Sequence, residues 1–127
     1  MNKSFTILIV DDETDIRKSV RQVLEDEGFK VISAKDGQEC IEKAIKKEPD
    51  LILLDILMPG LTTKEVLAGL KKNKVKSKVM FLTVVRLAEA LKLKVLKGNM
   101  VDYLEKPFDN KELVRRVKKA LNINGKK

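Results

Sequence analysis

Five short, mostly aliphatic runs recur along the chain: FTILIV (5–10), KVISA (30–34), DLILLD (50–55), KVMFLT (78–83) and VDYLE (101–105). Hydrophobicity is almost unbroken in 5–10 and 51–54, the pattern of strands covered on both faces in a parallel sheet. Between the runs, apolar residues switch to helical spacing. Ile16, Val20, Val23 and Leu24 fall at i, i+4, i+7 and i+8, and Gly28 is placed to end that helix. Ile41, Ala44 and Ile45 mark a second helix that stops before Glu48-Pro49. Thr62 to Glu65 and Asp109 to Glu112 resemble capping boxes, and the last helix is expected to bury Leu113, Val114, Val117 and Leu121. Successive strand–helix units predict a doubly wound α/β domain, a five-stranded parallel sheet with five helices. Each connection is long enough for a right-handed crossover.

Composition narrows what such a domain does. The 127 residues fit one core, since cores usually occupy ~100–150 residues. The expected boundaries are 1–122 for the domain and 123–127 for a short basic tail. One cysteine and no histidine exclude a disulfide framework and a Cys/His zinc site. Without histidine the chain cannot carry a phosphohistidine, so any histidine chemistry must come from a partner. No apolar run approaches the ~18 residues of a membrane span, and the expected location is the cytoplasm with no membrane partner. The net charge of +8 raises nucleic acid as a ligand. Its basic residues, however, are spread over KKNKVKSK (71–78), KLKVLK (92–97) and RRVKK (115–119), and aromatic residues are too few for a stacking platform. Solvated helix faces are expected, with direct nucleic-acid contact disfavoured.

In doubly wound folds ligands bind beyond the carboxyl ends of the strands. Asp11 and Asp12 follow the first strand, Asp55 ends the third, Thr83 ends the fourth and Lys106 follows the fifth. Residues nearly a hundred positions apart should therefore meet at one edge. Three converging carboxylates repel each other, and a hard divalent cation with oxygen ligands, magnesium above all, would relieve them. Lys106 supplies a compact positive charge and Thr83 a hydroxyl donor for a phosphoryl oxygen. A carboxylate here can itself be the nucleophile, forming an aspartyl phosphate. Each residue also has a plainer role. Asp11 and Asp12 could cap the first helix, Asp55 could form an Asx-turn, Thr83 could be a strand residue and Lys106 a surface lysine. Their shared position at one end of consecutive strands favours the joint site.

ILIVDDETDIRKSV, PDLILLDILMPG, FLT and DYLEKPF, in this order and spacing, resemble the receiver domain of two-component response regulators. The likeness runs from about Phe5 to Leu121. It implies a flavodoxin-like sheet of strand order 2-1-3-4-5, and a switch that accepts a phosphoryl group on Asp55 from a sensor histidine kinase or histidine phosphotransfer protein. It makes Asp12 and Asp55 direct Mg2+ ligands, with Asp11 acting through water and the Leu57 backbone carbonyl completing the set. Thr83 would move toward the phosphoryl group, Tyr103 would change rotamer with it, and Lys106 would bridge to Asp55 or its phosphate. The surface of residues 86–108 and the last helix would present the change to a downstream protein or a fused effector domain, and a phosphorylation-dependent dimer is compatible with this.

Departures from the family pattern set further expectations. Thr62-Thr63 replaces Asp-Gly but keeps a capping hydroxyl. Val84 is bulkier than the usual small residue and narrows access to the phosphoryl site. Asn99-Met100 stands for Gly-Ala, and Cys40 for alanine, read as a small buried helix residue. Apolar Leu57 and Val85 flank the path of an attacking water, which predicts slow loss of the phosphate. Leu93 and Leu96 point away from the stripe of Leu87, Ala88, Leu91 and Val95 and are candidate partner contacts. Rival functions are a basic nucleic-acid binder and a Mg2+-dependent phosphohydrolase. The second would place its nucleophile in a DxD after the first strand, where this chain has DDE. A flavodoxin-like electron carrier would not line its phosphate cradle with acids. The sequence fits a stand-alone receiver or one cut from a longer regulator.

Overall fold

The structure, a computed structural model, describes residues 4–56, 58–83 and 100–123. The apolar runs form β1 (Thr6–Val10), β2 (Lys30–Ala34), β3 (Leu51–Asp55), β4 (Lys78–Thr83) and β5 (Met100–Glu105). All neighbours pair in parallel, in the expected order β2-β1-β3-β4-β5. The β4–β5 ladder shifts register between Val79 and Met80, which pair with Met100 and Asp102, so β5 carries one extra residue at its start. The described helices are α1 (Thr14–Asp26), α2 (Gly37–Lys47), α3 (Thr63–Lys72) and α4 (Asn110–Ala120). The remaining expected helix, with Leu87, Ala88, Leu91, Leu93, Val95 and Leu96, lies outside the described residues, as do Leu57, Val84, Val85 and Asn99.

Alternation along the strands divides the core between the two faces of the sheet. Ile7, Ile9, Leu51, Leu53, Met80 and Leu82 pack against α1 and α4 through Val20, Leu24, Leu113 and Val117. Leu8, Val10, Ile52, Leu54 and Phe81 pack against α2 and α3 through Cys40, Ala44, Val66 and Leu70. Both central strands are thus covered on both faces, as their unbroken apolar runs require. Two apolar helix residues lie farther out than their neighbours: Val114, which was expected to be buried, and Ile45. Each follows a fully buried residue, Ala44 or Leu113, and the helical turn of about 100° per residue swings it outward. Ile45 is left 45% exposed and Val114 half-buried.

Glycine lets α2 and α3 approach closely. A Cβ on Gly37 of α2 would lie 2.6 Å from Val66 Cγ2 of α3, and one on Gly69 of α3 would lie 2.6 Å from Ile41 Cδ1 of α2. Each helix therefore notches into the other. This accounts for a glycine inside α3, where it costs roughly 0.5–1 kcal/mol relative to alanine.

The helix ends follow their residues. Thr62 forms the complete capping box with Glu65. At α4, Asp109 accepts from the Glu112 N–H, but Glu112 gives its carboxylate to Arg115 and Arg116. Asp36 caps α2 through the Glu39 N–H. Three helices end in the same Schellman turn, in which the backbone turns left-handed just past the cap. Gly28 takes that position after α1, Asn122 after α4 and Lys74 after α3. Glu48, the C-cap of α2 just before Pro49, is left-handed as well. Among the described residues no helix is long and apolar enough to cross a membrane.

Candidate functional site

At the carboxyl edge of the sheet, β1 runs into the loop that carries the first two acids. Asp11 is fully buried, and its N–H donates to the Ala34 carbonyl at 3.2 Å, prolonging the β1–β2 pairing. Both carboxylate oxygens are engaged: Oδ1 accepts from the Glu13 N–H at 3.0 Å, and Oδ2 from Lys106 Nζ at 2.7 Å. Asp12 is exposed. Neither residue is the N-cap of α1. That position belongs to Glu13, which makes no side-chain cap, and Asp15 lies in the first turn.

Asp55, at the end of β3, is 6% exposed. It offers an oxygen to a cluster in which one carboxylate oxygen each from Asp11, Asp12 and Asp55 lie within 4.8 Å of one another. Lys106 reaches in from the end of β5 and bridges two of the three, 2.7 Å from Asp11 and 3.4 Å from Asp55 Oδ2. Its closer partner is therefore Asp11, whereas the sequence pointed to Asp55. Burial alone would lower the Lys106 pKa. The hydrogen bond it donates to Asp11 and the charges of Asp55 and Asp11 outweigh it and hold the ammonium above its ordinary value. Three carboxylates against one ammonium leave excess negative charge in a mostly buried place. An all-oxygen donor set of this kind fits a hard divalent cation.

Thr83 is buried at the end of β4, and its carbonyl accepts from the Lys106 N–H at 2.6 Å. The carboxyl ends of the fourth and fifth strands are thus joined through their backbones. Tyr103 is half-buried on β5 against the α2–α3 side of the core. Arg116 of α4 holds the strand there, donating to the Tyr103 carbonyl at 2.8 Å and to Asp102 at 3.0 Å. Leu57, Leu93 and Leu96 lie outside the described residues.

Sequence reasoning missed Arg17. Its guanidinium donates to the Asp11 carbonyl at 2.6 Å and to Thr14 Oγ1 at 3.2 Å, tying the loop back onto α1. Side chains on a helix lean toward its N-terminus. An arginine just after the first turn is therefore well placed to reach the strand end that precedes it, and that lean was the available signal. Cys40 behaves as expected. It is fully buried, and burial, followed by the charge of Asp36, pushes its thiol up to about 12.

This constellation coincides with a family assignment. The model of the response regulator receiver domain matches residues 7–118. The chain belongs to that family. Among curated relatives, this receiver domain is 40% identical over 121 residues to the alkaline phosphatase synthesis transcriptional regulatory protein PhoP of Bacillus subtilis, covering 95% of this chain and 49% of that protein. It is 35% identical to the phosphate regulon transcriptional regulatory protein PhoB of Pseudomonas aeruginosa, covering 94% and 53%. The chain spans about half the length of these relatives. Among solved structures, the response regulator TrrA from Thermotoga maritima, in complex with Mg(2+)-BeF, superposes with a TM-score of 0.78 at 33% identity, covering 91% of this chain and 98% of that one. The chemotaxis protein CheY4 of Vibrio cholerae gives 0.83 at 29% identity, covering 93% and 99%. As a receiver domain the chain is a phosphorylation-dependent signalling switch. Its chemistry is phosphoryl transfer to itself, not turnover of a separate substrate.

Proposed function

We propose that Asp55 accepts the phosphoryl group, in the cytoplasm, from a phosphohistidine on a sensor kinase or phosphotransfer protein. The placement of Asp55 carries this reading: it is nearly buried, grouped with Asp11 and Asp12, and 3.4 Å from the Lys106 ammonium. In the transfer, an Asp55 carboxylate oxygen attacks phosphorus, a P–O bond forms, and the P–N bond breaks as the imidazole departs. Asp12 and Asp55 would hold Mg2+ directly, with Asp11 through water and the Leu57 carbonyl. When bound, the ion supplies positive charge to the phosphoryl oxygens.

Lys106 does the complementary work from the protein side. Already an ammonium, it can pass from the carboxylates to the phosphoryl oxygens without a proton transfer. The Thr83 hydroxyl lies one strand away to donate to another of those oxygens. Because the Lys106 N–H is bonded to the Thr83 carbonyl, the two respond together. Tyr103, fastened through its carbonyl to Arg116, lies where a shift of β5 is passed on to α4. The phosphoryl group adds about −1.5 to −2 charge, enough to bias a two-state arrangement of these loops and so control a downstream protein or an attached effector.

Incubation with acetyl phosphate and Mg2+, followed by intact-mass measurement, tests the assignment. The wild type should gain one phosphoryl group and Asp55→Asn none. Equal modification of Asp55→Asn would overturn it.

A further inference from the structure

Away from the acidic pocket, a groove of about 580 Å3 opens at the amino edge of the sheet, between the carboxyl ends of α2 and α3. Ile45, Pro49, Lys74, Val75 and Lys76 contribute to its walls, with Glu48 at the end of α2. Ile45 is the one exposed large hydrophobic residue among the described residues. Lys74 and Lys76 line the groove, and the last turns of the two helices that border it add Lys46 and Lys47 from α2 and Lys71 and Lys72 from α3. All six lysines are exposed, and none is in a salt bridge among the described residues.

Lysines in a last helical turn offset the helix dipole, which accounts for four of the six. It does not account for Lys74 and Lys76, nor for the backbone at the groove. The two helices that do not border the groove end their left-handed turns on Gly28 and Asn122, residues suited to positive φ. The two that do border it hold Glu48 at φ 47 and Lys74 at φ 60. Lysine thus occupies a position where glycine would be easier to accommodate, and its side chain lines the groove.

We infer that this groove binds an acidic peptide segment of a partner protein, with an apolar side chain against Ile45 and flanking carboxylates on Lys74, Lys76 and the helix-end lysines. Charge complementarity calls for an anionic occupant. No aromatic residue or arginine is among the described lining residues, and Glu48 would repel an unbroken row of phosphates. A peptide can space its carboxylates to avoid Glu48. The concavity suits a chain segment better than a flat lipid surface. Asp50 and Lys78, which also line the groove, are tied to the fold through the Thr6 N–H and the Ala120 carbonyl. The site is separate from the phosphoacceptor and does not depend on how that pocket is read.

Fluorescence anisotropy provides the test, using a fluorescein-labelled peptide with two glutamates on each side of one leucine. Saturable, salt-sensitive binding is expected. It should weaken about tenfold in Lys76→Glu and severalfold in Lys74→Gly. Replacing the leucine by serine, or Ile45→Ser in the protein, should also weaken it. Lys74→Gly should meanwhile raise Tm by about 3–5 °C by removing backbone strain, so loss of binding in that variant cannot be ascribed to unfolding. Labelling by acetyl phosphate should be unchanged in all three variants. Absence of saturable binding by the wild type, or binding indifferent to Lys74 and Lys76, overturns the inference. Tighter binding of duplex DNA than of the peptide, lost in the same variants, overturns it in favour of nucleic acid.

Discussion

At its carboxyl edge the sheet gathers Asp11, Asp12 and Asp55 beside one lysine, whereas at its amino edge the ends of α2 and α3 carry six lysines and one exposed isoleucine. The first cluster is assembled from three strand ends distant in sequence, and its buried members are engaged by neighbours. The second is local: each lysine is exposed, and four of the six offset a helix dipole. Five strand residues span about 17 Å, roughly twice the ~8 Å Debye length at physiological salt. At physiological salt the exposed lysines are therefore expected to act on the pocket only weakly. A net charge of +8 can coexist with an acidic pocket because the pocket and this lysine cluster occupy opposite edges of one sheet.

That separation can be broken or sharpened by substitution. The largest effect is expected for Lys106→Met, which should slow phosphoryl incorporation by about 100-fold, followed as an intact-mass time course. Lys76→Met should leave the rate within about twofold at physiological salt; a comparable loss there would end the comparison. Next comes Arg17→Met, which releases the Asp11 carbonyl. The Mg2+ concentration giving half the maximal thermal shift should rise about tenfold, and Arg17→Lys should restore part of the affinity. Smaller again is the contrast between helix ends. Gly28→Ala should destabilise the fold by about 1 kcal/mol in urea titrations, whereas Lys74→Gly at the equivalent turn should stabilise it.

The smallest effect concerns Glu112. Hydrogen bonds from Arg115, then Arg116, hold its carboxyl below the ordinary value. A depressed acid stabilises the fold above the ordinary carboxylate range and loses that contribution as pH falls through its lowered pKa. The wild type should therefore be slightly more stable than Glu112→Gln near neutral pH, and the difference should vanish in acid. A difference that grew on acidification would reverse the sign.

How much of this was legible in the sequence depended on the kind of interaction. Strands and sheet order could be read because β1 and β3 need cover on both faces, and because the family motifs fell at successive strand ends. Asp11, Asp12, Asp55, Thr83 and Lys106 could be placed at one edge by topology alone. Topology could not divide Lys106 between Asp11 and Asp55, since that depends on ångström-scale reach in a crowded pocket. Arg17 was hidden among many basic residues, because its partner is a backbone carbonyl and no side-chain pattern announces one. Glu112 illustrates competition: its spacing from Asp109 suits a capping box, but two arginines within one helical turn bind its carboxylate. Val114 was misplaced because apolar spacing identifies a helical stripe but not how wide the covering surface is.

The notches between α2 and α3 constrain the ways in which this sequence can vary. Gly69 and Ile41 share a single volume: a Cβ at 69 would meet Cδ1 of Ile41 at 2.6 Å but Cγ1 at 3.4 Å, an ordinary contact. Alanine at 69 should therefore be tolerated once position 41 is shortened to valine. The two positions are expected to change together across descendants of this chain, each recording the size of the other.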